Sequence, residues 1–429
     1  MTNSYRHDAE YTLDLCDRIA AHTDVPGTIN RTFLSSATHA VHALLRAEME
    51  ALGMTVRTDS AGNVRGVYPA ESHGAPTLLT GSHIDSVPDA GRYDGILGVA
   101  LPIALIRSLM GLRLPYAIEV IAFSEEEGVR FKLPFIGSKA LVGNLTSEDL
   151  ARTDADGISV AQALRNFGLD PDMIADAALT PGTFAFFEVH IEQGPVLESL
   201  NLPLGVVSTI IGQSRLGLTF HGQANHAGTT PMSFRKDALA AAARWISEVE
   251  AYPVDDLELV ATVGSIQALP GAINVIPGAV TVSLDVRHPS DEARLRAIAA
   301  LIAKAEAIAE SRGLTLTTAD GGAQTSVPLD PALRDALSSA AASFAPLAMP
   351  SGAGHDAMIL ARRLPAAMLF LRTPGGLSHH PNEAVSAEDI AAAITSCRSF
   401  LHSLKPEAFA PATLSDFSPD IQSPKTSQP

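Results

Sequence analysis

TLLTGSHID, residues 77–85, opens the part of the chain that decides the fold class. It is an apolar, β-rich run, and it is followed by the apolar helical pattern GILGVALPIALIRSLMG (95–111) and the buried-looking strand AIEVIAFS (117–124). Strands that alternate with helices predict a layered α/β domain with helices on both faces of a sheet. In such a domain the residues that carry chemistry gather at the ends of the strands.

The order of predicted strands and helices changes near Gly212. RLGLTFHG (215–222) predicts a strand, 231–252 a helix, 257–269 and 279–287 two strands, 291–313 a helix, and 314–319 a last strand. The order β-α-β-β-α-β is a complete ferredoxin-like unit. We therefore predict a catalytic domain at 1–212 and 327–405, interrupted by an inserted second domain at 213–326. The Pro- and Ser-rich segment 406–429 is predicted to be a disordered tail.

Charge and cysteine usage narrow the class of partner. Among 429 residues, 47 acidic and 30 basic side chains give a net charge of −17, which argues against nucleic acid and anionic membranes. Only Cys16 and Cys397 occur, so neither a disulfide framework nor a thiolate metal site is indicated. The start of the sequence lacks a secretory pattern, and the longest apolar run is too short for a membrane span. These observations predict a cytoplasmic enzyme or binding protein for a small molecule.

Five segments of the predicted catalytic domain place His, Asp or Glu at strand ends or in loops. They are GSHIDSVPDAGRYDG (81–95), AFSEEEGVRF (122–131), FFEVHIEQGPVLE (186–198), SGAGHDAM (351–358) and GGLSHHPNE (375–383). A single histidine of this kind is more often structural, and three consecutive acids are normally a solvated surface. Here, however, the acids follow a strand that should be buried. Imidazole and carboxylate without thiolate suit Zn, Mn, Co or Ni, and a pair of ions needs a carboxylate that bridges them.

Taken together and in order, these motifs resemble the metal-dependent amidohydrolases of the M20 peptidase clan, specifically the hydantoinase/carbamoylase family. The resemblance runs from about Ala9 to Leu404. It implies two divalent ions per subunit, with manganese favoured and zinc, cobalt or nickel as alternatives. The ligands that it implies are His83, Asp94 as the bridging carboxylate, Glu127, His190 and His379.

The resemblance also implies roles for two acids near the ligands. Asp85 matches the acid that hydrogen-bonds the imidazole of His83, and Glu126 matches the general base that takes a proton from the attacking water and passes it to the leaving nitrogen. One ambiguity concerns the last ligand. His380 follows His379 directly, and a shift of the loop by one residue would put His380 in the ligand position instead of His379.

Further residues are implied to bind the substrate. His226 matches the histidine that stabilises the oxyanion, and Arg287 has a planar fork that suits a substrate carboxylate. The remaining implied contacts are Gln213, Asn274, Gly354 and His355. The alternative interpretation is that Asn274 caps a turn and Arg287 pairs with a surface acid.

The function that the resemblance implies is hydrolysis of a ureido C–N bond in a small carboxylate. The segments INRTFLSSATHA, DAGRYDG and VIAFSEEEGVRF look most like allantoate amidohydrolases, which convert allantoate to ureidoglycine, ammonia and carbon dioxide. An N-carbamoyl-L-amino-acid hydrolase is the main alternative, followed by ureidoglycolate or β-ureidopropionate amidohydrolases. A peptidase of the clan and a binding protein without activity are less favoured. The family also implies that the inserted domain at 213–326 is a lid or dimerisation domain, and that the protein is a homodimer in which His226 serves the partner's active site.

Overall fold

The structure is a computed structural model that describes residues 3–252, 256 and 258–409. The strands are β1 (Thr55–Thr58), β2 (Val64–Tyr68), β3 (Thr77–His83), β4 (Ala117–Phe123), β5 (Thr183–Ile191), β6 (Leu204–Ile210), β7 (Gly212–His221), β8 (Asn225–His226), β9 (Val260–Thr262), β10 (Ile266–Leu269), β11 (Val275–Ile276), β12 (Ala279–His288), β13 (Thr315–Gln324), β14 (Val327–Pro328), β15 (Leu347–Ser351) and β16 (Ala366–Leu371). The helices are α1 (Asn3–Ala20), α2 (Ser36–Ala51), α3 (Leu97–Ser108), α4 (Ile136–Leu141), α5 (Ser147–Ala151), α6 (Val160–Asn166), α7 (Val196–Ser199), α8 (Ala238–Ala251), α9 (Asp291–Ser311), α10 (Pro331–Ala340), α11 (Asp356–Leu360) and α12 (Ala387–Ser403).

Two compact units make up the chain, divided after Ser208 and after Pro328. The sequence analysis placed these boundaries at 212/213 and 326/327, a few residues away from the observed ones. The first unit is built on a sheet in which β1, β2, β4, β3, β5, β16 and β6 follow one another. The four strands β4, β3, β5 and β16 are parallel, while β2 and β6 flank them in the antiparallel direction.

Helices cover both faces of this sheet. In the main core cluster, one face of the sheet packs against α1, α2, α3, α10 and α12. Strand β4 contributes Ile118, Val120 and Ala122 to this face. Successive side chains of a strand point to opposite faces, so Phe123 of β4 lies on the other face, where its ring packs on Phe186 of β5. The main-chain N–H of Ala357 in α11 also donates to Glu188 of β5 on this second face. The predicted α/β fold class is therefore confirmed.

The second unit contains an antiparallel sheet in the order β10-β12-β7-β13, with β9 also pairing with β12. Its core lies between the sheet and the helices α8 and α9, with Trp245 fully buried and its indole N–H donating to the main-chain oxygen of Leu301. Two local predictions were wrong here. The predicted strand 257–269 is interrupted between β9 and β10, because the hydroxyl of Ser283 accepts the N–H groups of Gly264 and Ser265.

The second wrong prediction concerns the start of α8. The helix predicted for 231–252 begins only at Ala238, because the side chain of Asp237 accepts the N–H groups of Leu239 and Ala240 and so caps the first turn.

The predicted tail is partly described. Within residues 406–409 the ring of Phe409 stacks on Phe184 at a centroid distance of 6.0 Å, so these residues pack against the first unit. The rest of the predicted tail lies outside the described residues. Among the residues that the structure covers, no helix has both the length and the apolar character that a membrane crossing requires.

Candidate active site

The parallel strands bring the predicted ligands to one edge of the first unit's sheet. His83 is the last residue of β3, His190 lies one residue before the end of β5, and Glu126 and Glu127 follow β4. The loop that carries His379 follows β16. Because the carboxyl ends of parallel strands meet at the same edge, residues far apart in the chain become neighbours there.

Asp94 lies at the centre of this cluster. Its Oδ1 is 3.5 Å from Nε2 of His83 and 3.3 Å from Nε2 of His190, while its Oδ2 is 3.3 Å from Nε2 of His379. Burial opposes ionisation of this carboxyl, but the hydrogen bonds from the three imidazoles hold its pKa well below the usual range. A single carboxylate thus faces two histidines with one oxygen and a third histidine with the other, which is the arrangement that a bridging ligand needs.

Glu127 completes the group on the His379 side. Its Oε1 lies 3.5 Å from Nε2 of His379, and the possible ligand atoms of Asp94, Glu127 and His379 all lie within 4.8 Å of one another. His380 is turned elsewhere, since its Nδ1 accepts the N–H of Asn382. The main chain of His379 adopts a left-handed conformation, with φ of 54°. This geometry places His379, rather than the alternative His380, beside Asp94.

Asp85 holds the loop that carries the two glutamates. Its carboxylate accepts the main-chain N–H of Glu126 at 2.9 Å and of Glu127 at 3.1 Å. The contact predicted for it is weaker, because Nδ1 of His83 is 3.4 Å from the Asp85 carboxylate and 3.1 Å from the main-chain oxygen of the same residue. The sequence analysis gave Asp85 the imidazole only and missed its role in fixing the loop.

Gly95 is required by the close approach of His83. A Cβ atom at this position would lie 2.5 Å from three atoms of the His83 ring, and the φ of 69° is unfavourable for other residues. The main-chain N–H of Gly95 also faces Nε2 of His190 at 3.2 Å. The RYDG motif therefore combines the central carboxylate with the space that the neighbouring imidazoles occupy.

The raised pKa values of two acids in the cluster indicate that too little positive charge lies near them. Burial raises the pKa of Glu126 well above its usual range, and Glu127 adds to the rise against the opposing effect of His83. Burial likewise raises the pKa of Glu127 to about 7. Acids packed this closely need cations to remain ionised, and a mixed set of imidazole and carboxylate donors is what borderline divalent ions bind. The residues present therefore fit a pair of divalent metal ions.

Two residues that the sequence analysis did not select also contact the central carboxylate. The amide of Gln193 and the hydroxyl of Ser378 each donate to Oδ2 of Asp94 at 2.9 Å. Gln193 also donates to Ser378. Both lie beside predicted ligands, in HIEQGP and GLSHHP, and this proximity was the one signal that could have identified them.

Beneath His190 lies a buried polar layer. His355 packs its ring against His190 at a centroid distance of 4.5 Å, and its Nε2 is bonded to the hydroxyl of Ser351. His355 is 2% exposed, so the structure places it under a predicted ligand and not on an open surface as a substrate contact. Glu188, two residues before His190 on the same strand, joins these histidines and was not predicted. Its position at i−2, on the same face of β5, was the available signal.

Gly354 lies at the edge of the glutamate loop. A Cβ atom there would meet the ring of Phe135 at 3.1 Å and Oε1 of Glu126 at 3.8 Å. Gly354 therefore lies beside the buried carboxylate of Glu126.

The four other predicted substrate contacts belong to the second unit. His226 in β8 pairs with Val275 in β11, and the N–H of Ala227 donates to the main-chain oxygen of Asn274. His226 is exposed, and its Nδ1 accepts the N–H groups of Gly228 and Thr229 at 3.0 and 3.2 Å. Because Nδ1 accepts, the proton of the neutral ring lies on Nε2, which is left to donate.

Arg287 and Gln213 are register partners on β12 and β7 and share one acid. Nε of Arg287 donates to Asp285 at 2.9 Å, and the amide of Gln213 and Nε of Arg215 donate to the same carboxylate at 3.2 Å. Burial raises the pKa of Asp285, but the bonds from Arg287 and Arg215 outweigh it and lower the pKa. Arg287 thus has the acidic partner that the alternative interpretation expected.

Comparison with known proteins places these motifs in a family. A profile of the peptidase family M20/M25/M40 matches residues 79–403. An N-carbamoyl-L-amino acid amidohydrolase of Geobacillus stearothermophilus is 39% identical over 370 residues, which cover 85% of this chain and 90% of the relative. An allantoate deiminase of Arabidopsis thaliana is also 39% identical, over 419 residues that cover 89% of this chain and 79% of the relative.

A solved structure shows the same architecture. The hydantoinase/carbamoylase family amidase of Burkholderia multivorans superimposes with a TM-score of 0.86 at 34% sequence identity. The match covers 92% of this chain and 97% of the amidase.

Proposed function

The chain belongs to the peptidase family M20/M25/M40 and is a hydrolase of C–N bonds, and on that basis we propose that its substrate is a small carboxylate bearing a ureido group, with allantoate as the preferred compound. The observation that carries the proposal is the position of Asp94 between two groups of imidazole and carboxylate side chains. An N-carbamoyl-L-amino acid is the second candidate, because a relative with that activity is as similar to this chain as the allantoate deiminase.

The proposed metal site consists of two halves that share Asp94. His83 and His190 would hold one ion, and Glu127 and His379 would hold the other. Two such ions, when bound, polarise the carbonyl group and make a water molecule acidic near neutral pH. Manganese is the proposed metal, with zinc, cobalt and nickel as alternatives that the same donors accept.

Glu126 is the proposed general base. Its carboxyl belongs to the cluster, since its possible ligand atom lies within 4.8 Å of those of His83 and Glu127. It is buried, and its main chain is fixed by Asp85, so a proton taken from the attacking water stays close to the reacting atoms. The same proton is then delivered to the nitrogen that leaves.

His226 is proposed to stabilise the negative charge on the carbonyl oxygen. The two N–H groups that bond to Nδ1 keep the ring in the tautomer with a donor at Nε2, so no proton has to move before the oxyanion forms. Asn274 lies in the adjoining segment and is proposed to bind the same part of the substrate.

Arg287 is proposed to bind the substrate carboxylate, with Gln213 beside it for a second polar group. Asp285 accepts from Nε of Arg287 at 2.9 Å and from Nη2 at 3.3 Å, which fixes the plane of the guanidinium beside Gln213. Allantoate carries a carboxylate and two ureido groups, so a guanidinium next to an amide suits it. An N-carbamoyl-L-amino acid would use the same carboxylate contact, so the preference for allantoate rests on the likeness of INRTFLSSATHA, DAGRYDG and VIAFSEEEGVRF to allantoate amidohydrolases.

Replacement of Arg287 by lysine should raise KM for carboxylate substrates by about tenfold or more, since a charge-assisted hydrogen bond contributes roughly 1.5–3 kcal/mol. The value of kcat should change less. Arg215→Lys is the matched control, because Arg215 bonds to the same Asp285 but is mostly exposed. Steady-state kinetics of both variants test this prediction. An unchanged KM for Arg287→Lys would mean that another group binds the substrate carboxylate.

We propose further that the chain forms a homodimer through its second unit. Large apolar side chains are exposed there, which a partner copy would cover. They include Met232, Phe234, Ile266, Leu269 and Ile273. In a two-fold dimer each copy lends its partner the same groups that it receives, and we propose that His226 is one of them.

Mixing inactive Glu126→Ala and His226→Ala chains should restore activity if His226 serves the partner's site. Random pairing would give about a quarter of the wild-type rate, because half of the dimers are mixed and each of these has one intact site. Ammonia release after mixing is the measurement, with subunit exchange confirmed by differently tagged chains. Exchange without any recovered activity would place His226 in the active site of its own chain.

A substrate panel tests the proposed function. The purified protein is assayed for ammonia release with allantoate, ureidoglycolate, N-carbamoyl-L-amino acids and N-carbamoyl-β-alanine in the presence of Mn²⁺, Co²⁺, Ni²⁺ or Zn²⁺, and with dipeptides as the control for peptidase activity. Allantoate should give the highest kcat/KM. A higher value for an N-carbamoyl-L-amino acid would replace the first candidate with the second.

A further inference from the structure

Glu383 connects two loops of the candidate site, although no role was predicted for it. It lies four residues after His379 and is 4% exposed. Its Oε1 accepts the main-chain N–H of Tyr93 at 2.8 Å and of Asp94 at 3.0 Å. These residues are 290 and 289 positions away in the sequence. One buried carboxylate oxygen thus holds the main chain at the residue whose side chain is the centre of the cluster.

The other end of Glu383 is fixed within its own loop. Its main-chain N–H donates to the oxygen of His380 at 3.0 Å, which ties it to the turn that presents His379. The side chain therefore spans from the loop of one predicted ligand to the loop of another. A change in the position of either loop would alter the distance between Asp94 and His379.

Gly91 shows how closely the surroundings fit this carboxylate. A Cβ atom at position 91 would overlap the Cβ, Cδ and Oε1 atoms of Glu383. Gly91 is not among the glycines with a positive φ, so its main chain does not itself require glycine. The absence of a side chain at this position leaves space that Glu383 fills.

We propose that Glu383 is a positioning residue that sets the main chain of Asp94 so that its two oxygens face the two halves of the metal site. The inference rests on the proposed metal pair. Ser378 and Gln193 orient the carboxylate of Asp94 from the side-chain end, and Glu383 orients it from the main-chain end. Groups that orient metal ligands in this way typically contribute roughly ten- to a hundredfold to metal affinity.

The experiment compares Mn²⁺ binding by the metal-free full chain and its variants, using calorimetric titration. Glu383→Leu keeps the approximate volume but removes the acceptor, and it should weaken Mn²⁺ binding by about tenfold or more. Glu383→Gln retains one acceptor oxygen and should recover most of the affinity. Gly91→Ala leaves the carboxylate intact but displaces it, so it should weaken binding in the same direction as Glu383→Leu.

Asp237→Leu is the control. The carboxylate of Asp237 also accepts two main-chain N–H groups, those of Leu239 and Ala240 at the start of α8, but it belongs to the second unit, whereas the five predicted metal ligands belong to the first. Thermal unfolding of each metal-free variant separates lost stability from lost affinity. Asp237→Leu should lower the melting temperature without changing Mn²⁺ affinity.

The outcomes are distinguishable. If the wild type binds Mn²⁺ and both Glu383→Leu and Gly91→Ala bind it with the same affinity, the inference is overturned and the proposed function stays in place. An equal loss of affinity in Asp237→Leu would also overturn it, since any lost main-chain contact would then have the same effect. If Glu383→Leu fails to fold, the Mn²⁺ affinities of Gly91→Ala and Glu383→Gln test the inference. Absence of Mn²⁺ binding by the wild type would overturn the proposed function and, with it, this inference.

Discussion

Replacement of Glu126 by glutamine should reduce turnover by about a hundredfold or more while the metal content stays unchanged. The amide has nearly the same shape as the acid but cannot take up the proton of the attacking water or deliver it to the leaving nitrogen. The central Asp94, His83 and His190 keep their contacts with one another in this variant. The measurements are the rate of ammonia release and the metal content of the same sample.

Glu125→Gln is the matched control for this prediction. Glu125 is the preceding residue and is also buried, and burial raises its pKa well above the usual range too, with a further contribution from Asp85. Its Oε1 accepts the N–H of Val129, and the possible ligand groups among the described residues do not include it. A near-normal kcat in Glu126→Gln would remove Glu126 from the role of base, and an equal loss in both variants would point to a general effect on the loop.

Asp94→Asn should have the second large effect, which is loss of the metal ions and of activity with them. A neutral amide offers one carbonyl oxygen in place of two anionic oxygens, so the two halves of the site lose the ligand that they share. The metal content after dialysis, measured by mass spectrometry, should fall well below two ions per chain. Asp89→Asn, an exposed acid five residues earlier in the same loop, should keep both ions.

The opposite result for Asp94→Asn would be informative. A variant that still holds two ions per chain after dialysis would show that Asp94 is not a ligand of either. The two ions would then be held by other residues.

The sheet and the edge at which the candidate site lies were predictable from the sequence. Apolar strands with a histidine or acids at their ends recur at β3, β4 and β5, and parallel pairing brings such ends together. The placement of the five predicted ligands around Asp94 required more than this pattern, because ligand identity came from the family resemblance. Periodicity alone would have left His83 as one of several histidines at strand ends.

The residues that orient Asp94 were not predictable in this way. Glu383 and Asp94 are separated by 289 positions, and their contact depends on how two irregular loops fold against each other. The choice between His379 and His380 depends likewise on a single left-handed residue, whose φ of 54° turns one imidazole toward Asp94. Turn geometry of this kind follows from packing within the fold and not from a residue pattern.

The second unit illustrates the same limit. The helix α8 and the strand β12 were anticipated from their periodicity, whereas the pairing of Arg287 with Asp285 depends on the side-chain conformations of neighbours on two strands. A strand pattern indicates which face a residue shares, but not which of several charged neighbours it bonds to.

The central claim is that the cluster around Asp94 binds a pair of divalent ions on which hydrolysis of a ureido bond depends. Titration of the metal-free protein with Mn²⁺, followed at each step by the amount bound and by the rate of ammonia release from allantoate, tests it most directly. The account predicts two ions bound per chain and full activity only when the second has bound. Full activity with one ion per chain, or activity in the metal-free protein, would contradict it.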